Sequence, residues 1–247
     1  DRGEYTGIEL GADVAADLNL DDFLVFESNH EKSIEFFKSL LFKHLCASPL
    51  APPQIKSPDD LIQVLFTQAP VFEEFVRAVE GVPRDALNLV TKMVTRAWGQ
   101  KVAMSHIRGA AKDWYNQDKA RDVANDSALG ELLSHIVDEV IGARRARAFL
   151  FRANSRNEEI DELFDLRVLH ILKKGVSTHD EPGARYDVYK IDYGCYVELI
   201  NTSKAPLGLY RDDDGFVEVP KDDHRSIRRA ILRIEDLGKA PSSHSEH

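Results

Sequence analysis

Residues 80–93, EGVPRDALNLVTKM, place an arginine at the start of an apolar helix. The backbone N–H groups of a first helical turn already make that end positive, so a cation there is unfavourable by roughly a few tenths of a kcal/mol. Two explanations remain open at this point. Either Arg84 is a surface residue that pairs with Glu80 or Asp85, or an anion binds beside it.

The other residues that could do chemistry form no recognisable catalytic set. The chain contains no GxxxxGK[ST] phosphate loop, no GxGxxG, no GxSxG and no HExxH. Phosphoryl transfer needs a phosphate cradle, a lysine and a magnesium ligand, and the first of these is missing. The nine histidines are scattered, and His170 is expected to lie in a helix with a structural role.

Composition indicates a protein with real hydrophobic cores. The chain has 247 residues, of which 43% are hydrophobic, and two cysteines without a short spacing, which argues against a zinc site and suits a reducing cytoplasm. The net charge is −10, so nucleic acid is repelled overall and any phosphate binding has to be local. Residues 81–153 carry 12 basic and 8 acidic residues, and this net-positive third contains Arg84.

The N-terminal residues do not resemble the start of a domain. FLVFE (23–27) is a short apolar run that predicts a buried strand, and a single strand needs a sheet that nothing nearby supplies. We therefore expect residues 1–27 to be the remnant of a larger sheet domain. The alternative is an irregular arm packed on the body.

Helical periodicity dominates from Ser28 onwards, and it predicts a compact helical unit over 28–120. Ser57 and Pro58 supply the cap and the first-turn proline that begin one of its helices. The predicted helices run from Ser28 or Asn29 to the loop at 47–58, from Pro58 to about Gln68, from Pro70 to Gly81, over 83–98 and over 106–120.

A polar stretch, 118–127, predicts a domain boundary, and a second pattern covers 124–200. The pattern predicts a helix over 128–142, a strand over 147–153, two successive helices within 157–175, a turn at 179–184 and a strand over 185–192. Helix, strand, helix, helix, strand, turn, strand is the order of a winged helix with a β-hairpin wing. Residues 201–247 form a C-terminal extension.

At Gly81, Arg84, Ala86 and Leu87 the chain resembles AAA+ ATPases of the origin-recognition (ORC-like) type. In that family a helical lid follows the nucleotide-binding sheet, and one lid helix opens with Gly-x-x-Arg-x-Ala-Leu, whose arginine is called sensor 2. The order of elements is also similar over about 23–200: a last sheet strand, a helical lid and a winged helix that ends in a Tyr-rich strand (YDVYKIDYGCY). The resemblance implies that Arg84 contacts the terminal phosphates of ATP, bound with Mg²⁺ in an upstream domain that carries Walker A and Walker B.

The winged helix of relatives binds DNA with the second helix of its helix-turn-helix. Five basic residues are the candidates for binding DNA or a partner here: Arg167, Lys173, Lys174, Arg185 and Lys190. They are opposed by five carboxylates: Glu158, Glu159, Asp161, Glu162 and Asp165. Because these carboxylates repel phosphate, the sequence slightly favours a protein partner over duplex DNA.

The sequence thus predicts a mainly α protein with a small β component, an AAA+ helical lid followed by a winged helix. Alone, the chain is expected not to hydrolyse ATP and to hold no cofactor or metal. In the whole protein it would sense nucleotide and contact an upstream nucleotide-binding domain, as well as a protein partner or DNA. We expect a cytoplasmic protein that does not bind membranes. The sequence leaves open whether it forms an oligomer. The alternative is a free-standing winged-helix DNA-binding regulator with a helical dimerisation domain.

Overall fold

The computed structural model describes residues 24–27, 29–143, 147–153, 155, 157–177 and 182–200. These residues are mainly helical and contain one three-stranded antiparallel sheet, which confirms the predicted balance of α and β. The helices are α1 His30–Cys46, α2 Pro58–Leu65, α3 Ala69–Ala78, α4 Pro83–Ala97, α5 Met104–Trp114, α6 Ala120–Asn125, α7 Ser127–Ile136, α8 Glu158–Asp165 and α9 Tyr193–Ile200. π-Helical turns continue α5 (Tyr115–Lys119) and α7 (Val137–Ala143), and the strands are β1 Ala148–Arg152, β2 Leu169–Ser177 and β3 Arg185–Ile191.

The described residues up to Trp114 form a helical module around one hydrophobic core. The predicted cap of α2 is present, because the Ser57 hydroxyl accepts a hydrogen bond from the Asp60 amide at 3.1 Å. The centre of the core is aromatic and fully buried: Phe37, Phe66, Phe72 and Phe75. Ala86 and Leu89 of α4 belong to the same core, so burial places α4 on the module.

The described residues from Tyr115 to Ile200 form a sheet module with a second core. Its strands lie in the order β1-β3-β2, with Phe149 opposite Tyr189 and Leu169 opposite Ile191. These residues pack with those of α7 and α8 in the second core. α9 joins the modules, since its residues contribute to both cores.

The predicted strand at 23–27 is wrong for the residues that the structure describes. Leu24 lies in a helix, and Phe26 and Glu27 form a turn. The apolar side chains of this segment are buried against the helical module, where the Arg77 guanidinium lies 4.7 Å from the centre of the Phe26 ring. A short apolar run fits a buried turn as well as a strand, because both hide every side chain.

The second of the two helices predicted within 157–175 is wrong, because α8 ends early and β2 follows. The Arg167 amide bonds the Phe164 carbonyl at 2.8 Å and the Val168 amide bonds the Leu163 carbonyl at 2.9 Å. This pair of bonds is a Schellman motif, which ends a helix with a left-handed residue that is usually glycine. Arg167 occupies that position with φ 60°, so the sequence carries no glycine signal for the helix end.

The last predicted strand is also partly wrong. β3 ends at Ile191, and the tyrosines that follow belong to α9. Asp192 begins this helix, since its Oδ1 accepts a hydrogen bond from the Cys195 amide at 3.0 Å. Among the described residues no helix lies between α8 and β2, so the recognition helix expected of a DNA-binding winged helix does not form.

Residues 1–23 and the whole predicted extension at 201–247 lie outside the described residues, as do residues 179–181 of the predicted turn. Among the residues that the structure describes, no helix combines the length and the apolar character that crossing a bilayer requires.

Candidate functional site

Arg84 lies exposed at the first turn of α4. Its side chain is 70% accessible to solvent, and Pro83 precedes it as the first helical residue. Val82 occupies the cap position and supplies no side-chain acceptor to the first-turn amides. The N-terminal end of α4 therefore combines a solvent-facing guanidinium with uncapped N–H groups.

Neither of the two surface partners expected for Arg84 holds it firmly. Its Nε lies 3.9 Å from Asp85 Oδ1, but that carboxylate is buried and also faces Arg167 and Lys119. Arg167 Nη1 donates to the same oxygen, Oδ1, in a close contact. Glu80 points elsewhere, into a buried group of charges.

The backbone before α4 meets the N-terminal segment of the described chain. Gly81 adopts φ 81°, and a Cβ atom built there would lie 3.1 Å from the backbone of Leu24 and Val25. Only glycine combines this conformation with so close a backbone approach. The segment at Leu24 thus passes directly beside the turn that leads into Arg84.

Four charged groups meet between the modules, of which Glu80, Arg147 and Lys190 are buried and Glu27 is mostly so. Glu27 and Glu80 come from the helical module, and Arg147 and Lys190 come from the sheet module. Lys190 Nζ donates to Glu27 Oε2 at 2.6 Å, while Arg147 and Lys190 both contact Glu80 closely. Burial would raise the pKa of Glu27, but the charges of Lys190 and Arg147 outweigh it and lower that pKa to about 2.

A second buried group extends from Asp85 to α9. Lys119 Nζ lies 3.7 Å from Asp85 Oδ2 and donates to Asp192 Oδ2 at 2.6 Å. His170 lies on β2, not in the predicted helix, with its Nε2 3.4 Å from Asp192 Oδ2. Burial opposes the charged form of Asp192, yet Lys119 and His170 hold its pKa well below the usual range.

Glu80, His170 and Asp192 place one ligand atom each within 4.8 Å of one another. These are residue types that bind divalent metals. Their carboxylates are already occupied by ammonium and guanidinium groups, since Lys190 contacts Glu80 and Lys119 contacts Asp192. The arrangement is therefore an ion-pair network, and it offers a metal no uncommitted carboxylate.

Two of the five residues predicted to bind DNA or a partner have side chains that are largely buried, whereas a binding surface needs exposed side chains. Lys190 is fully buried against Glu27 and Glu80. Arg167 is mostly buried and spans Asp85 and Asp118, with its Nη2 donating to the latter at 2.6 Å. Both side chains are engaged by carboxylates of distant elements, which sequence spacing does not show.

The other three candidates lie on the hairpin formed by β2 and β3. Lys173, Lys174 and Arg185 are exposed, and Arg185 Nη1 also donates to the Gly175 carbonyl at 3.0 Å. The two lysines lie on a strand and not at a helix end as predicted. The hairpin is thus a basic surface, while the neighbouring α8 exposes acidic side chains.

An apolar groove of about 440 Å³ opens on the helical module between α1, α2 and α4. Leu87 and Val94 of α4 line it and are partly exposed. Their spacing with Val90 and Ala97 in the sequence predicts one apolar face of α4. That face borders the groove, whereas other side chains of α4 are buried in the core, among them those of Ala86, Leu89 and Met93.

No protein-family model, no curated protein and no solved structure matches this chain. The geometry of its own residues therefore carries the functional argument.

Proposed function

We propose that this chain is the C-terminal lid and partner-contacting portion of an ORC-like AAA+ ATPase, in which Arg84 senses ATP and Mg²⁺ bound by an upstream domain. The main support is the contrast between two neighbours on α4. Arg84 is exposed at an uncapped first turn, while Asp85 is buried among cations. An exposed arginine at the positive end of a helix, with only a 3.9 Å contact to a carboxylate that other cations share, is suitably placed to bind an anion.

The electrostatics of the first turn favour a phosphate as that anion. Uncapped N–H groups at a helix N-terminus attract negative charge, and the guanidinium adds a charge-assisted contact of defined geometry. The anion would also remove the repulsion between Arg84 and the helix dipole. The described chain at Leu24 passes beside Gly81, two residues before the first turn of α4.

For the sheet module we propose a protein partner in preference to duplex DNA. The recognition helix is missing between α8 and β2, and α8 exposes four carboxylates: Glu158, Asp161, Glu162 and Asp165. The basic hairpin of β2 and β3 favours the second candidate, a free-standing DNA-binding regulator. A salt titration of duplex binding separates the two, because DNA binding gives a steep loss of affinity with salt.

Hydrolysis by the full-length gene product tests the role of Arg84. An interaction with a charged group contributes about 1.5–3 kcal/mol, so Arg84→Ala should slow ATP turnover by roughly 10- to 100-fold. Arg121→Ala is the matched control, since Arg121 is an exposed arginine on α6. Its turnover should stay at the wild-type level.

Unchanged turnover in Arg84→Ala would reject the sensor assignment. The encoding reading frame gives an independent decision, because the proposal requires a Walker A loop upstream of Asp1. A start codon immediately before Asp1 would instead favour the free-standing regulator.

A further inference from the structure

We infer that Asp85 is a positioning residue that couples the position of Arg84 to the sheet module through Arg167 and Lys119. The inference rests on the proposed nucleotide-sensing role of Arg84. It adds the route by which the state of that residue reaches the rest of the chain.

The first step is the placement of neighbouring side chains on one rigid helix. Successive helical residues point about 100° apart, so Arg84 faces solvent while Asp85 faces the interior. Any displacement of the first turn of α4 that brings the guanidinium to a phosphate moves the Asp85 carboxylate with it. That carboxylate binds two cations of the sheet module, Arg167 and Lys119.

The second step is the unusual backbone of Arg167. A non-glycine residue in the left-handed region is strained, and such strain persists only where surrounding contacts fix it. Here the guanidinium contacts Asp85 with Nη1 and Asp118 with Nη2. The turn between α8 and β2 is thus held by a side-chain fork anchored on both modules.

Glu80 shows the same combination at the end of α3. It has φ 56°, and its carboxylate contacts Arg147 and Lys190 of the sheet module. Of the three non-glycine residues with positive φ in the described chain, Glu80 and Arg167 both make buried ion pairs across the boundary, and Trp98 is exposed. The strained positions coincide with the contacts between modules.

The third step is the path through Lys119. This residue ends the π-helical turn that joins the two modules, and π-helical turns occur frequently at functional sites. Its ammonium links Asp85 to Asp192, the residue that begins α9. Asp192 is in turn next to His170 on β2, so both contacts of Asp85 lead to the start of β2.

The contact is suited to exchange because neither cation depends on Asp85 alone. Arg167 retains Asp118 and Lys119 retains Asp192 when Asp85 moves away. A shift of α4 therefore weakens the link to the sheet module without leaving an isolated buried cation. This makes two arrangements of the same residues accessible, as coupling between sites requires.

Hydrogen exchange on the full-length gene product, with and without ATPγS and Mg²⁺, tests the inference at residues 166–171. Nucleotide should change exchange there by about fivefold or more in the wild type, in the range of ordinary coupling between sites. In Asp85→Asn the exchange rates of these residues with and without nucleotide should be about equal. The affinity for nucleotide should stay within about twofold of the wild type, because Arg84 is retained.

Asp113→Asn is the matched control. Asp113 also binds an arginine of α4, Arg96, at 2.6 Å, but this pair is exposed and lies within the helical module. It should leave the exchange response intact. Arg167→Lys keeps the charge but loses the fork, so the exchange response should be reduced to what the Lys119 contact transmits. This variant tests the inference if Asp85→Asn does not fold.

A wild-type response that persists in Asp85→Asn, or that is undiminished in Arg167→Lys, would overturn the inference, and so would the absence of any nucleotide effect in the wild type. Both results are distinct from failure of the proposed function. That failure would appear as normal ATP turnover in Arg84→Ala.

Discussion

Replacing Glu80 by glutamine should destabilise the protein far more than replacing a surface glutamate. Glu80 is 1% exposed and contacts both Arg147 and Lys190. Glutamine has nearly the same shape as glutamate and the same backbone strain at φ 56°. The substitution therefore removes the negative charge without changing that strain. Its loss leaves two buried cations with Glu27 as their remaining carboxylate.

The size of the effect follows from that remaining partner. Removing one member of a buried ion pair typically costs about 3–5 kcal/mol, because the other charge stays buried without compensation. Glu27 still faces both cations, so the lower end, about 3 kcal/mol, applies to Glu80→Gln. With a urea m-value of about 2–3 kcal/mol per M, the unfolding midpoint should fall by roughly 1 M.

Urea unfolding followed by circular dichroism measures this shift. Glu35→Gln is the matched control, since Glu35 is 67% exposed and its partner Lys38 keeps Asp59 at 3.0 Å. Exposed pairs contribute about 0–1 kcal/mol, so the control should move the midpoint by less than about 0.5 M. Adding Lys190→Met to Glu80→Gln should recover part of the loss, because one cation and one anion then remain.

Equal midpoints for Glu80→Gln and Glu35→Gln would refute the reasoning. They would mean that water solvates Arg147 and Lys190 as readily as the carboxylate does. The contact of Glu80 with Arg147 and Lys190 would then contribute little to joining the modules.

Three further predictions concern packing, reactivity and pH. Gly194→Ala should lower the free energy of unfolding by about 1–3 kcal/mol, because the new Cβ would lie 2.5 Å from a backbone carbonyl oxygen of α5. In the control Gly109→Ala the new Cβ meets only the flexible end of an arginine side chain, so the free energy of unfolding should change by less than about 1 kcal/mol. Urea unfolding measures both variants. Cys46 is exposed and should react with iodoacetamide in the folded protein. Burial raises the pKa of Cys195 to about 12, so this thiol should stay unmodified until urea unfolds the protein. Mass spectrometry of the two cysteine-containing peptides measures both reactions. The pKa of Glu27 is lowered from its ordinary value of 4.5 to about 2 in the folded protein, so its contribution to stability is complete above about pH 5 and is lost as the pH falls towards 2. In Glu27→Gln the free energy of unfolding should therefore depend less on pH in that window. A pH dependence equal to that of the wild type would contradict this.

Much of the helical module was predictable because its signals are local. The apolar spacing, the Ser57 cap and the prolines at helix starts act within one or two turns, so α1 to α4 begin where the sequence places them. The end of α8 was not predictable in this way. A glycine at position 167 would have marked it, whereas an arginine there resembles an ordinary helical residue.

The buried charges were missed for a different reason. Glu80 and Arg147 are 67 positions apart, and Glu27 and Lys190 are 163 apart, so no local pattern relates them. One signal was present in β3, where Lys190 stands between Tyr189 and Ile191 in a largely buried strand. A charge on such a strand needs a buried partner, but the sequence does not show which carboxylate supplies it.

The same network changes what the positive charge of residues 81–153 means. That excess, 12 basic against 8 acidic residues, suggests local phosphate binding when taken from the sequence alone. In the structure Lys119 and Arg147 are buried against carboxylates, so they cannot serve an external anion. Because Asp85 is committed to other cations, Arg84 remains available at a helix end that already attracts negative charge. The proposed sensor role therefore depends on the inward-facing charges as much as on Arg84 itself.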